Sequence, residues 1–180
     1  MNALSFLMAF LPELVLLVGA SVLFVITLGQ SRGRLAWTVA LITALVTVAT
    51  CALCLREQAV LFSGAYRVDQ FSQLLKLVFA CGLTAMLLLS DQLPDIRAQI
   101  QPEYYLFLTL SVTGLVMLVS CVDVISLVIA LELSSYPLYL MVPMRRERAG
   151  QRTQMESAIK YIMFGVAANG IMLFGLSYLY

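Results

Sequence analysis

The 180-residue chain contains no histidine, and only 12% of its residues are charged. A soluble domain carries about a quarter charged residues, so a soluble enzyme is excluded on composition. The net charge is +1 and no long Lys/Arg run occurs, which excludes a nucleic-acid partner. Four cysteines are present, Cys51, Cys54, Cys81 and Cys121, all in apolar segments or at their ends. Cys51 and Cys54 form a C-x-x-C, but without nearby partner ligands they read as packing residues, and a haem or metal site is not expected. A cleaved signal is not expected either. The N-terminus lacks a basic region, and Pro12-Glu13 interrupts the apolar run where a signal would be continuous.

What the chain does have is apolar residues, 62% of the total with a mean hydropathy of +0.96. They fall in long blocks and not in alternation, which favours membrane helices over an outer-membrane barrel. Six segments of bilayer-crossing length are read, at 4–28, 35–55, 71–90, 104–122, 124–144 and 157–180. The expected fold is therefore all-α, a polytopic integral membrane helix bundle. The longest connection, 56–70, has Gly64 between Val/Leu/Phe and Tyr/Val runs and predicts a small hairpin. Helices four and five are expected to meet with almost no loop, at a solvated turn around Asp123. Lys and Arg in alternate connections divide seven (Arg32, Arg34, Arg97, Arg145, Arg146, Arg148, Arg152) against two (Arg56, Arg67). That bias places the N-terminus outside and the 145–156 connection in the cytoplasm. The last segment runs to Tyr180 without a polar cap, and the chain reads as the first part of a longer one.

An ionisable side chain inside a membrane helix is a functional candidate by default. Glu132 lies about 12 Å from the outer end of helix five at 1.5 Å per residue, too deep for its short side chain to reach water. Ser135, Tyr136 and Tyr139 follow it at helical spacing and make one polar stripe. Pro137 cannot donate to the Leu133 carbonyl and loosens the backbone beside the carboxylate. The competing reading is a protonated Glu132 that bonds a neighbouring helix and holds the bundle together. Lys160 begins helix six about one turn from the cytoplasmic end, where snorkelling and pairing with Glu156 compete with an ion-path role. The two depths differ by around 10 Å, so water or another residue would have to link Lys160 to Glu132. Lys76 continues a stripe with Asp69 and Gln73, and interfacial anchoring is expected there slightly ahead of transport. Asn169 and Gly165 have a spacing suited to helix packing.

Four stretches carry a family resemblance: LPELVLL at 11–17, YRVDQFSQLLKLVF at 66–79, LELSSYPLYLMV at 131–142 and ESAIKYIMFGVAANGIMLFGLSYLY at 156–180. The last two are the specific ones, an acid-L-x-S-x-P-x-Y helix followed by a Lys-Tyr helix start. Through them the chain resembles subunit N of proton-pumping NADH:quinone oxidoreductase (complex I), a family similar to the Mrp-type cation/proton antiporters. The resemblance implies a membrane-arm subunit in contact with other membrane-arm subunits, lipid, protons and water. NAD, FMN, iron–sulfur clusters and quinone would belong to other subunits. It implies three accessory helices over 1–90, with a periplasmic 56–70 hairpin, then the first three helices of an antiporter-like repeat over 104–180. Glu132 matches the acid of a glutamate–lysine pair whose lysine sits on a helix beyond Tyr180, and Lys160 matches a lysine on the same hydrophilic axis. Such a carboxylate, held charged by a lysine, takes up a proton when that charge is withdrawn. An Mrp-type antiporter subunit and a structural membrane subunit without its own ion path are the alternatives.

Overall fold

A computed structural model describes residues 7–29, 33–90, 96–144 and 151–178. Six helices dominate: α1 Leu11–Leu28, α2 Gly33–Leu53, α3 Gln70–Leu89, α4 Gln101–Leu118, α5 Val124–Met141 and α6 Gln151–Leu176. Their starts follow local chemistry. Pro12 and Pro102 occupy the first turns of α1 and α4, where a missing N–H is harmless, and Glu13 and Glu103 lie at the positive helix ends. Asp69 and Ser72 form a reciprocal capping box that starts α3. Asp123 caps α5, accepting from Ile125 N at 3.1 Å and Ser126 N at 3.2 Å. Asp123 is thus a structural cap and not merely a solvated turn residue.

Among the described residues, five helical stretches are long and apolar enough to cross a membrane: Leu11–Leu28, Gly33–Leu53, Gln70–Leu89, Val124–Met144 and Met155–Leu176. The sixth expected span, α4, falls outside that set for a reason visible in the packing. It lies in the middle of the bundle against α1, α2, α3 and α5, and its first turn is polar. A helix shielded by its neighbours can carry polar groups on every side. Its buried Thr109, Ser111 and Thr113 donate to Tyr105 O, Ser134 O and Thr109 O at 2.7–2.8 Å. The core around it contains Leu16, Leu23, Ala36, Ala40, Ala44, Leu83, Leu87 and Tyr105. Large apolar side chains such as Val25, Leu53, Leu89 and Phe164 point outward, the arrangement a hydrocarbon solvent permits.

Helices approach closely where side chains are smallest. A Cβ on Gly19 would collide with Thr43 of α2, and one on Gly114 of α4 would lie 2.7 Å from Ser134 Cα and 2.8 Å from Leu133 C of α5.

The expected hairpin is present. β1 Ala59–Leu61 pairs antiparallel with β2 Tyr66–Val68, Leu61 opposite Tyr66. Phe62, Ser63 and Gly64 turn the chain with φ of 51°, 55° and 100°, and Gly64 occupies a conformation that only glycine adopts cheaply. The turn is held by edge-to-face contacts among Phe10, Phe62 and Tyr66 at 5.8–6.3 Å. The α4–α5 connection is longer than expected, residues 119–123, because it pairs with this hairpin. Tyr66 bridges Cys121, Arg67 N donates to Ser120 O at 2.8 Å, and Val122 N donates to Ala65 O at 2.9 Å.

Several bounds differ from the hydropathy segments. Helix α4 begins at Gln101 and α6 at Gln151, because helices continue into polar turns that a hydropathy window omits. Arg32, Arg145, Arg146 and Arg148, on which the orientation rests, lie outside the described residues, as do residues 4–6 of the first segment and 179–180 of the last.

Candidate functional site

Two groups of ionisable residues stand in the bundle. The first surrounds Glu132, eight residues into α5. The carboxylate is partly buried, and its Oε2 is shielded from solvent with no hydrogen-bond partner among the described residues. The Ser135 hydroxyl donates to Leu131 O at 2.9 Å, and the Ser134 hydroxyl to the same oxygen at 2.7 Å. Both hydroxyls are spent on their own helix. Pro137 is buried, and α5 stays helical through it to Met141. Polar reinforcement comes from α4, where the Ser111 hydroxyl donates to Ser134 O at 2.7 Å.

The expected polar stripe is divided by exposure. Tyr139 is 9% exposed and Tyr136 51%. Tyr139 packs edge-to-face on Tyr136 and on Tyr161 of α6, with ring centroids 6.0 and 5.1 Å away. Gly165 makes room for the Tyr139 hydroxyl. Gly165 thus seats α6 against α5. Lys160 is not brought to Glu132. Its Nζ lies 2.5 Å from Glu156 Oε1, with both side chains well exposed. Here the pairing one turn back, and not the relay, is what the geometry presents.

The second group is the one local sequence reading did not assemble. Lys76, expected as an interfacial anchor, is 0% exposed and forms an ion pair at 2.6 Å with Glu13 of α1, also 0% exposed. The Tyr66 hydroxyl donates to the same carboxylate oxygen at 2.6 Å, and Lys76 Nζ lies 5.2 Å from the centroid of the Tyr66 ring, a cation–π distance. Burial raises the Tyr66 phenol pKa well above its ordinary range, with the Glu13 charge adding to the effect. Tyr66 therefore stays a donor. Gln73, one turn before Lys76 on α3, is 0% exposed as well. Glu13 went unnoticed as a partner because it read as the residue that interrupts a signal. Its position in an apolar run was the available signal.

The C-x-x-C thiols are free, and Cys54 Sγ donates to Met8 O at 3.2 Å. Among the described residues no three His, Cys, Asp or Glu side chains gather as a metal site.

Comparison with known proteins places this geometry. Residues 121–180 match the family described as NADH:quinone oxidoreductase/Mrp antiporter, TM. NADH-quinone oxidoreductase subunit N 2 of Opitutus terrae is 63% identical over 172 residues, 96% of this chain and 36% of that protein. Subunit N of Geobacillus kaustophilus is 31% identical over 94% of this chain and 34% of its own length. The chain thus spans little more than a third of the curated relatives it matches. Among solved structures, a chain of respiratory complex I from Thermus thermophilus with bound aureothin superposes with a TM-score of 0.75 at 23% identity. That match covers 94% of this chain and 36% of the other, and shows the shared fold. The likeness of this multi-pass membrane chain runs to the subunit N members of the NADH:quinone oxidoreductase/Mrp antiporter family, whose model it matches over residues 121–180.

Proposed function

We propose that the chain acts within a membrane-arm subunit of a proton-translocating NADH:quinone oxidoreductase of the bacterial inner membrane, and that Glu132 is its proton-carrying residue. One observation carries the reading. Glu132 presents a shielded carboxylate oxygen with no hydrogen-bond partner among the described residues, inside a membrane helix, and that helix belongs to the stretch the family model matches. A carboxylate so placed needs a countercharge or a proton. Alternation between those two states is what redox-linked withdrawal of a nearby positive charge would drive. Residues 1–90 would serve as accessory helices and 104–180 as the opening of the antiporter-like repeat. Lys160, exposed and bound to Glu156, would join the path only by leaving that partner. Electron carriers and quinone are assigned to other subunits.

The test is infrared difference spectroscopy on the complete subunit in its complex, with Glu132→Gln as the control. A carboxyl signal that changes in turnover and vanishes in the variant supports the reading, together with pumping reduced several-fold and assembly intact. A carboxyl that never changes, with pumping unaffected in Glu132→Gln, leaves Glu132 a structural group and overturns it.

A further inference from the structure

Beneath the hairpin, charge and unfilled hydrogen-bonding capacity coincide. Lys76 Nζ and the Tyr66 hydroxyl both address Glu13 Oε1. Glu13 Oε2 has no hydrogen-bond partner among the described residues, and neither has the amide oxygen or nitrogen of Gln73. Gln73 is wholly buried and stands three residues before Lys76, on the same face of α3. An amide offers two donors and one acceptor oxygen, and an ammonium three donors, so most of this capacity is unspent. Leaving it unspent in an apolar bundle is costly. Water is the small ligand that supplies donors and acceptors together, and a polar enclosure with several partners is where buried water binds.

The direction of access is set by the fold. Glu13 is in the first turn of α1, and Lys76 reaches back toward the start of α3, where Asp69 caps the helix and the hairpin enters. Tyr66 lies between the pair and the exposed tip at Phe62 and Ser63, and is itself 5% exposed.

We propose that Glu13, Gln73 and Lys76 form a second ionisable site, a water-holding pocket roofed by Tyr66 of the hairpin and separate from the surroundings of Glu132. Its ligand is water entering from the hairpin side. Through that water the Glu13–Lys76 pair exchanges protons with the aqueous phase. A purely mechanical tether between α1 and α3 is served as well by apolar side chains and would not need the Gln73 amide. The proposal stands whether or not Glu132 carries protons, because its readouts are structural and spectroscopic.

The test uses the complete subunit in its complex. A cryo-electron microscopy map that resolves water should show ordered density bonded to Glu13 Oε2 and the Gln73 amide. Gln73→Leu should remove that density and leave the Glu13–Lys76 pair in place. Tyr66→Phe removes only the hydroxyl. It should speed the response of the Glu13 carboxylate infrared band to D2O by roughly 10- to 100-fold, the factor expected from losing one hydrogen bond to a charged group. Glu13→Gln identifies the band. A map in which the Gln73 amide bonds protein groups, with no water at Glu13 Oε2, overturns the site. Water present but exchange unchanged in Tyr66→Phe overturns the roof.

Discussion

Gly114 offers a direct test of how α5 is held. A Cβ there would stand 2.7 Å from Ser134 Cα, where ordinary contact begins at 3.4 Å, so Gly114→Ala must part the two backbones by at least 0.7 Å. The atoms in the way are backbone, which no rotamer change can move aside. The Ser111–Ser134 bond, 2.7 Å long, would stretch to about 3.4 Å, past the useful range for O–H···O. Overpacking of this kind costs about 1–3 kcal/mol and the lost buried hydrogen bond about 1 kcal/mol. The sum, about 2–4 kcal/mol, lowers the melting temperature by roughly 5–15 °C. Differential scanning of the purified complex, followed by immunodetection of the released subunit, reads it. Gly82→Ala is the control, since nothing lies within 4 Å of a Cβ there, and the better helix former should be neutral or slightly stabilising. Equal melting temperatures for the two variants would refute the backbone contact between α4 and α5.

Three further outcomes follow from named contacts. Lys76→Met leaves Glu13 buried and unpaired and should cost about 3–5 kcal/mol, whereas Glu13→Gln with Lys76→Met together should recover most of it, as subunit retention after heating would show. Asp69→Ala removes the α3 capping box and should cost about 0.5–2 kcal/mol. Ser72 hydrogen bonds lower the Asp69 pKa below its ordinary 3.8, so this contribution is present above that value and fades as pH falls through the lowered one; an acid melt of wild type against variant measures it. Tyr66, raised above its ordinary 10.0 chiefly by burial, stabilises the fold fully below that pH and loses its contribution as alkali ionises the unfolded phenol. Tyr66→Phe should flatten the alkaline limb of the stability curve.

The helices were legible because a bilayer-crossing segment is a local property, written in consecutive residues. The hairpin was legible for the same reason, through Gly64 and the runs on either side. Glu132 stood out because a short acid in the middle of an apolar run has no local explanation. The Glu13–Lys76 pair was not legible. Its partners lie on helices that are not consecutive, and counting Lys76 from the end of its own helix suggests an anchor until α1 is seen beside it. Asp123 was misjudged because a cap and a solvated turn residue share the same composition signal. Lys160 was placed with Glu156 by simple helical spacing, and that local rule held.

The Glu13–Lys76 contact also has a history in time. Ribosomes release about 5–20 residues per second, so the interval between residues 13 and 76 lasts roughly 3–13 s. During that interval the acid has emerged and its cation has not. Glu13 sits at the very start of α1, where it can wait at the headgroup layer with its charge hydrated, and α1 need not sink to full depth alone. On this ordering the carboxylate gives up its water only once Lys76 is available, which links the burial of Glu13 on α1 to the arrival of α3.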